Sequence, residues 1–133
     1  MEFLLPTGWV RPKGYSNGVA AHGRMVFVSG MIGWDANEIF VSDDLASQVR
    51  QALANAVAVL SEAGAKPREI VRITWYVVDK KAYLAAASEI GAVYREIIGD
   101  HYPAMTLVQV AALLEDRARV EIEVTAVVPI EAG

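Results

Sequence analysis

Residues Gln51–Asp79 read QALANAVAVLSEAGAKPREIVRITWYVVD, and this stretch decides the fold class. Its first part continues an apolar stripe that starts upstream at Leu45 and Val49 and runs through Ala52 or Leu53, Ala56 and Leu60. Spacings of three and four residues put those side chains on one side of a helix. Ser42, Asp43 and Asp44 offer oxygens to its free N–H groups. Gly64 stands where a left-handed residue closes a helix. The second part, Ile70–Val78, is dense in β-branched and aromatic residues and reads as a strand.

Downstream, Asp79 is a candidate N-cap for a second helix over Lys81–Ile98. Its stripe is Tyr83, Ala86 or Ala87, Ile90, Val93 or Tyr94, and Ile97, and Gly99 ends it. Two strands follow, Met105–Ala112 and Arg119–Val128, with Leu113–Ala118 as the turn. Upstream, residues 1–14 are punctuated by Pro6, Gly8, Pro12 and Gly14 and read as irregular. Val19–Ala21 and Met25–Ser29 read as a hairpin around His22-Gly23-Arg24, and residues 31–41 as a loop. The order is β-β-α-β-α-β-β. This predicts an α+β two-layer sandwich, with two helices on one face of a single mixed sheet.

At about 150 residues per domain, 133 residues make one, so residues 1–133 are expected to form a single domain. With 54% hydrophobic and 21% charged residues and a mean hydropathy of +0.30, the chain is not disordered. So apolar a composition on so small a body implies that other subunits cover some apolar surface. Cysteine is absent, which excludes disulfides, a thiolate nucleophile and a Cys-based zinc site, and suits a reducing cytoplasm. The opening MEFLLPTGWV lacks the basic region and long apolar core of a secretory signal. Uncharged runs such as Gln51–Ser61 and Ala104–Leu114 fall well short of the roughly 20 residues of a spanning helix. No membrane partner is expected. The 12 Lys and Arg are scattered in a chain of net charge −4, which argues against nucleic acid. His22 and His101 have no ligand-like spacing, and the glycines form no phosphate cradle, so neither a metal nor a cofactor is expected.

Strand side chains alternate between faces. Val120, Ile122, Val124 and Ala126 share one face of the last strand, and Arg119, Glu121, Glu123 and Thr125 the other. The apolar row should pack on the helices. The opposite face is then expected to be mixed, with Met105 and Leu107 beside the carboxylates. A symmetric oligomer that closes such faces leaves pockets holding both chemistries.

The segments GYSNGV (Gly14–Val19), FVSGMIG (Phe27–Gly33), YPAMTLVQVAAL (Tyr102–Leu113) and VEIEVTAVV (Val120–Val128) resemble the reactive-intermediate deaminase family, also called Rid or YjgF. The likeness runs from about Gly14 to Val128. It implies a chorismate-mutase-like fold and a homotrimer with three intersubunit clefts. It also implies hydrolysis of small enamines and imines, such as 2-aminoacrylate, to 2-oxo acids and ammonia. Other members deaminate ring-cleavage products such as aminomuconate, and older labels speak of ribonucleases.

The resemblance assigns water activation to Glu121, the pocket mouth to Tyr15, and backbone contacts to Ser29 and Gly30. The family's carboxylate-clamping arginine falls at Met105, a common cysteine at Leu107 and a frequent glutamine at Met31. Methionine cannot supply the fork of charge-assisted hydrogen bonds that arginine gives a carboxylate. The usual 2-imino acid is therefore not the expected substrate.

Each residue has a second reading. Glu121 could instead pair with a neighbouring cation, as is expected of Glu123. Arg119 would replace the lost clamp or pair with Glu115 or Asp116. Arg72 suits an ion pair across an interface. Met105 and Leu107 line a pocket or pack an interface. Ser29 suits a contact rather than a nucleophile. The expectation is a cytoplasmic homotrimer that binds a small enamine, imine or carbonyl metabolite in intersubunit clefts and that, if it is catalytic, uses Glu121 to activate water for hydrolytic deamination. An aminomuconate-type deaminase and a non-catalytic ligand-binding or chaperone-like trimer stay open beside it. The acidic balance ranks a ribonuclease last.

Overall fold

In the computed structural model, which describes residues 1–130, the first helix (α1) runs Leu45–Glu62. Asp44 caps it by accepting from the Ser47 N–H at 2.9 Å. This contact holds the Asp44 carboxyl below its usual range, with further help from the Ser47 hydroxyl. Gly64, at φ +70°, closes the helix as expected, and the Ala65 N–H returns to the Leu60 carbonyl. Leu45, Val49, Ala52, Leu53, Ala56 and Leu60 are all buried, so the stripe is the packed face.

The strands are β1 (Glu2–Leu4), β2 (Gly18–Ala20), β3 (Arg24–Met31), β4 (Ile70–Val77), β5 (Ala104–Gln109) and β6 (Val120–Val128). Two expectations need correction here. The amino-terminal segment is not wholly irregular, since Glu2–Leu4 forms a strand. Nor do the second and third strands form a hairpin. β2 pairs antiparallel with β1, Phe3 opposite Val19, in a small sheet of its own. β3 pairs with β6 instead, matching Val26 with Ala126 and Val28 with Val124. Those apolar pairs bury against the helices, which a hairpin with the short β2 would not achieve.

The main sheet has the order β3-β6-β4-β5, with only β4 and β5 parallel. The crossover between them was expected as one helix. It is two, α2 (Lys80–Ala85) and α3 (Ala87–Ile97), interrupted at Ala86. The Ala86 N–H is shared between the Ala82 and Tyr83 carbonyls in a tightened turn, which needs neither proline nor glycine. Asp79 caps α2, and Gly99 follows α3 at φ +95°.

Register fixes the faces. Ile122 lies opposite Trp75, and Trp75 opposite Leu107; Ile73 lies opposite Met105. These residues share the helix-covered face, with the core of Val120, Val124, Val77 and the α1 stripe. Glu121 lies opposite Tyr76, and Tyr76 opposite Val108, on the open face. Met105 and Leu107 are thus not beside the carboxylates of their own chain. They are on the other side of the sheet.

One buried polar side chain ties the layers together. Gln48 of α1 is fully buried. Its amide nitrogen donates to the Ser42 and Arg117 carbonyls (2.9 and 3.0 Å), and its oxygen accepts from the Arg119 N–H at 2.8 Å. Gly33 makes room for it, since a methyl group there would begin 2.6 Å from the Gln48 Cβ.

Candidate functional site

The segment before β2 is tied to the start of β5. The Ser16 N–H donates to the Pro103 carbonyl at 3.0 Å, and its hydroxyl donates to the Tyr102 carbonyl at 2.5 Å. This holds Tyr15 next to β5. Between that segment, β5 and α3 lies an open cleft of about 630 Å³ that brings together Tyr15, Met105 and Leu107. Its wall is aromatic: Tyr94 stacks on Tyr102 (centroids 5.5 Å apart) and lies 6.3 Å from Trp75. The Tyr94 hydroxyl donates to the His101 carbonyl at 2.5 Å. Burial pushes the Tyr94 phenol well above its usual value, with Tyr102 adding to the shift, and burial also raises Tyr83. Both phenols are therefore uncharged at neutral pH.

The sequence reading missed two lining residues with charge, Lys13 and Arg95. Lys13 adjoins the Gly14–Tyr15 motif. Arg95 falls in the last turn of α3, four residues after Gly91, another lining residue. Tyr83 and Tyr94 belonged to the expected helix stripe. Read as core, they also form cleft wall.

The open face holds the second group. Glu121 lies against Gly30, where any side chain would overlap it. Ser29 is exposed beside them. The Tyr76 hydroxyl donates to Glu123 Oε1 at 2.6 Å, so Glu123 accepts from a phenol rather than joining the expected salt bridge. That bond, more than desolvation or the negative charges of Glu123 and Glu121, raises the Tyr76 pKa. Arg72 donates to Thr106 Oγ1 at 2.9 Å within its own chain. Met25, Phe27 and Val108 add exposed apolar surface, Phe27 being 70% exposed.

Two expected site residues join neither group. Met31 pairs with Ile122 and packs against the core. Arg119 does not line the cleft. It meets neither Glu115 nor Asp116 but donates to the Asp43 carbonyl at 3.3 Å, while Arg117 pairs with the Asp43 carboxylate. The Gln48 bond to its N–H holds the Arg119 backbone near the start of α1. Among the described residues, no cluster of three His, Asp or Glu could hold a metal ion, and no helix is long and apolar enough to cross a membrane.

Residues 10–128 match the sequence family described as Endoribonuclease L-PSP. The chain belongs to the Rid/YjgF family. A 2-iminobutanoate/2-iminopropanoate deaminase of Salmonella typhimurium is 35% identical to this Rid chain over 108 residues, covering 79% of this chain and 80% of that protein. Among solved structures, the Rid protein YyfB of Yersinia pestis superimposes with a TM-score of 0.82 at 36% identity, covering 96% and 98% of the two chains. TdcF of Escherichia coli, solved with bound serine, gives 0.67 at 30% identity and covers 96% and 98%. The α+β fold with its mixed sheet is thus the fold of Rid proteins.

Proposed function

We propose that this Rid chain forms a cytoplasmic homotrimer that hydrolytically deaminates a small enamine or imine in clefts between subunits. The observation that carries this reading is the division of the chemistry: the cleft and the Glu121 carboxylate lie on opposite faces of one sheet. Only a neighbour's open face can complete a site containing both. The surface supports it. The chain exposes 8011 Å², against about 6,800 Å² expected of a folded monomer of its mass. A parallel pair such as β4–β5 is ordinarily covered on both sides, and here one side carries exposed Val108, with exposed Phe27 and Met25 on the same face at the far edge of the sheet.

In the proposed reaction Glu121 takes a proton from water as the oxygen attacks the C=N carbon. The resulting carbinolamine carries both hydroxyl and amine on one carbon. Proton transfer to nitrogen expels ammonia and leaves the carbonyl product. Gly30 leaves space for the carboxylate, Ser29 and Gly30 offer polar contacts, Tyr15 closes the mouth, and Met105 and Leu107 form apolar lining. The printed activity of the Salmonella relative supports imine chemistry. The Met105 side chain has no N–H with which to hold a carboxylate, so short 2-imino acids are poor substrates.

The test generates 2-aminoacrylate in situ and follows ammonia and pyruvate. The expected result is weak acceleration compared with the Salmonella relative, abolished by Glu121→Gln. Acceleration equal to that relative's contradicts the role of Met105. No turnover of any enamine or imine favours a non-catalytic trimer.

A further inference from the structure

We infer that Arg95 and Lys13 form the anion anchor of the cleft, so that its ligand is a carboxylate with an apolar body and a charge held away from position 105. The inference rests on the cleft being the ligand site, as proposed above.

Both side chains line the cleft together with Tyr15, Trp75, Met105 and Leu107, and among the described residues no acidic one lines it. Asp100 lies in the adjoining groove, which shares Gly14, Tyr15 and Tyr102 with the cleft, but it forms no ion pair with either cation. At helical spacing Arg95 meets Gly91, Ala92, Ile98 and Gly99, none of them acidic. Its neighbour Glu96 is engaged with Arg50. Among the described residues neither Arg95 nor Lys13 takes part in an ion pair. A net charge of −4 makes two unopposed cations in one cleft a local feature rather than a general one.

Gly91 supplies the space. Among the described residues, apart from its chain neighbours and the helix's own backbone, a methyl group there would approach Nη1 of Arg95, at 3.4 Å. The guanidinium therefore lies back along α3 beside the glycine, at the cleft, where it stays open to solvent and to a ligand. Such a group offers paired N–H donors to a carboxylate, and Lys13 adds charge from the rim. Met105 and Leu107 project from β5, a different element from α3 and from the loop that carries Lys13. The anchor thus sits on the helix and the rim, and the apolar floor lies beneath. A short 2-imino acid carries its carboxylate on the carbon next to the imine. The cleft instead suits a longer molecule, whose carboxylate is separated from the reacting carbon by an apolar segment that packs on the aromatic wall.

The test measures binding, not turnover, by calorimetry on the purified protein. The probes are 3-phenylpropanoate and its uncharged amide, 3-phenylpropanamide. The acid is expected to bind about tenfold or more tightly than the amide, with a preference that fades as salt rises. Arg95→Gln and Lys13→Gln each reduce binding of the acid and leave the amide unchanged, while Arg95→Lys retains part of the preference. Equal affinity for acid and amide overturns the inference. So does binding of the acid that is indifferent to both glutamine variants, absence of binding at millimolar acid, or displacement of the acid by equimolar inorganic phosphate. Glu121→Gln keeps the preference for acid over amide. In the unaltered protein, preference for the acid without turnover of any enamine or imine counts against the deaminase reading alone, and turnover without that preference counts against the anchor alone.

Discussion

The side chain of Glu121 lies across the Cα of Gly30, so that a methyl group at position 30 would begin 2.7 Å from its Cδ and 2.8 Å from its Cγ. Gly30 is not at positive φ. Alanine is therefore compatible with its backbone, and only a flexible side chain must move. Gly30→Ala is expected to cost less than about 1 kcal/mol of stability, yet to lower deamination towards the level of Glu121→Gln. Urea unfolding and ammonia release measured on the same preparation check this. A large stability loss with normal specific activity contradicts it.

Gln48 satisfies three backbone groups from within the core. Leucine has similar bulk but none of the polar atoms. Gln48→Leu leaves buried donors and acceptors unpaired and is expected to destabilise the fold by about 2–4 kcal/mol. The midpoint of urea unfolding reads this directly, and a change below about 0.5 kcal/mol contradicts it.

The Tyr76–Glu123 bond gives a pH dependence of definite sign. The folded-state pKa of Tyr76 is raised above 10.0. Its contribution to stability is therefore complete below pH 10.0 and is lost as pH rises through the folded value. Tyr76→Phe should remove that alkaline slope. Thermal unfolding followed across this range for both proteins tests it. Parallel curves contradict the assignment.

The Asp44 cap behaves in the opposite sense. Its folded pKa lies below 3.8, so its contribution is present above that value and is lost as pH falls through the folded one. Asp44→Asn keeps a capping oxygen and removes the charge. Its melting temperature should fall less steeply than that of the parent as acid is added. An equal or steeper fall contradicts this.

Much of the fold was legible because its signals are local. The α1 stripe, the Asp44 and Asp79 caps and the glycines at 64 and 99 each state their roles within a turn or two of chain. What was hidden depends on distant partners. Alternation showed that Met105 and Leu107 share a face, but only the parallel register, Ile73 opposite Met105, shows which face it is. The β1–β2 pairing joins segments separated by a loop with no strand pattern of its own, and the turn at Ala86 contains no residue that enforces it. In the candidate site, motif likeness singled out Tyr15, Gly30 and Glu121. Lys13 and Arg95 were passed over because a charged residue beside a glycine or on a helix reads as a solvated surface until a cleft is seen behind it.

The central claim is that cleft and carboxylate meet only between subunits, and complementation tests it most directly. Glu121→Gln removes the acid, and Leu107→Trp fills the cleft; each variant alone should release no ammonia above background. Trimers containing both kinds of chain should recover activity, because a subunit with an intact cleft can face a subunit with an intact Glu121. Verified mixed trimers as inactive as either parent would contradict the account.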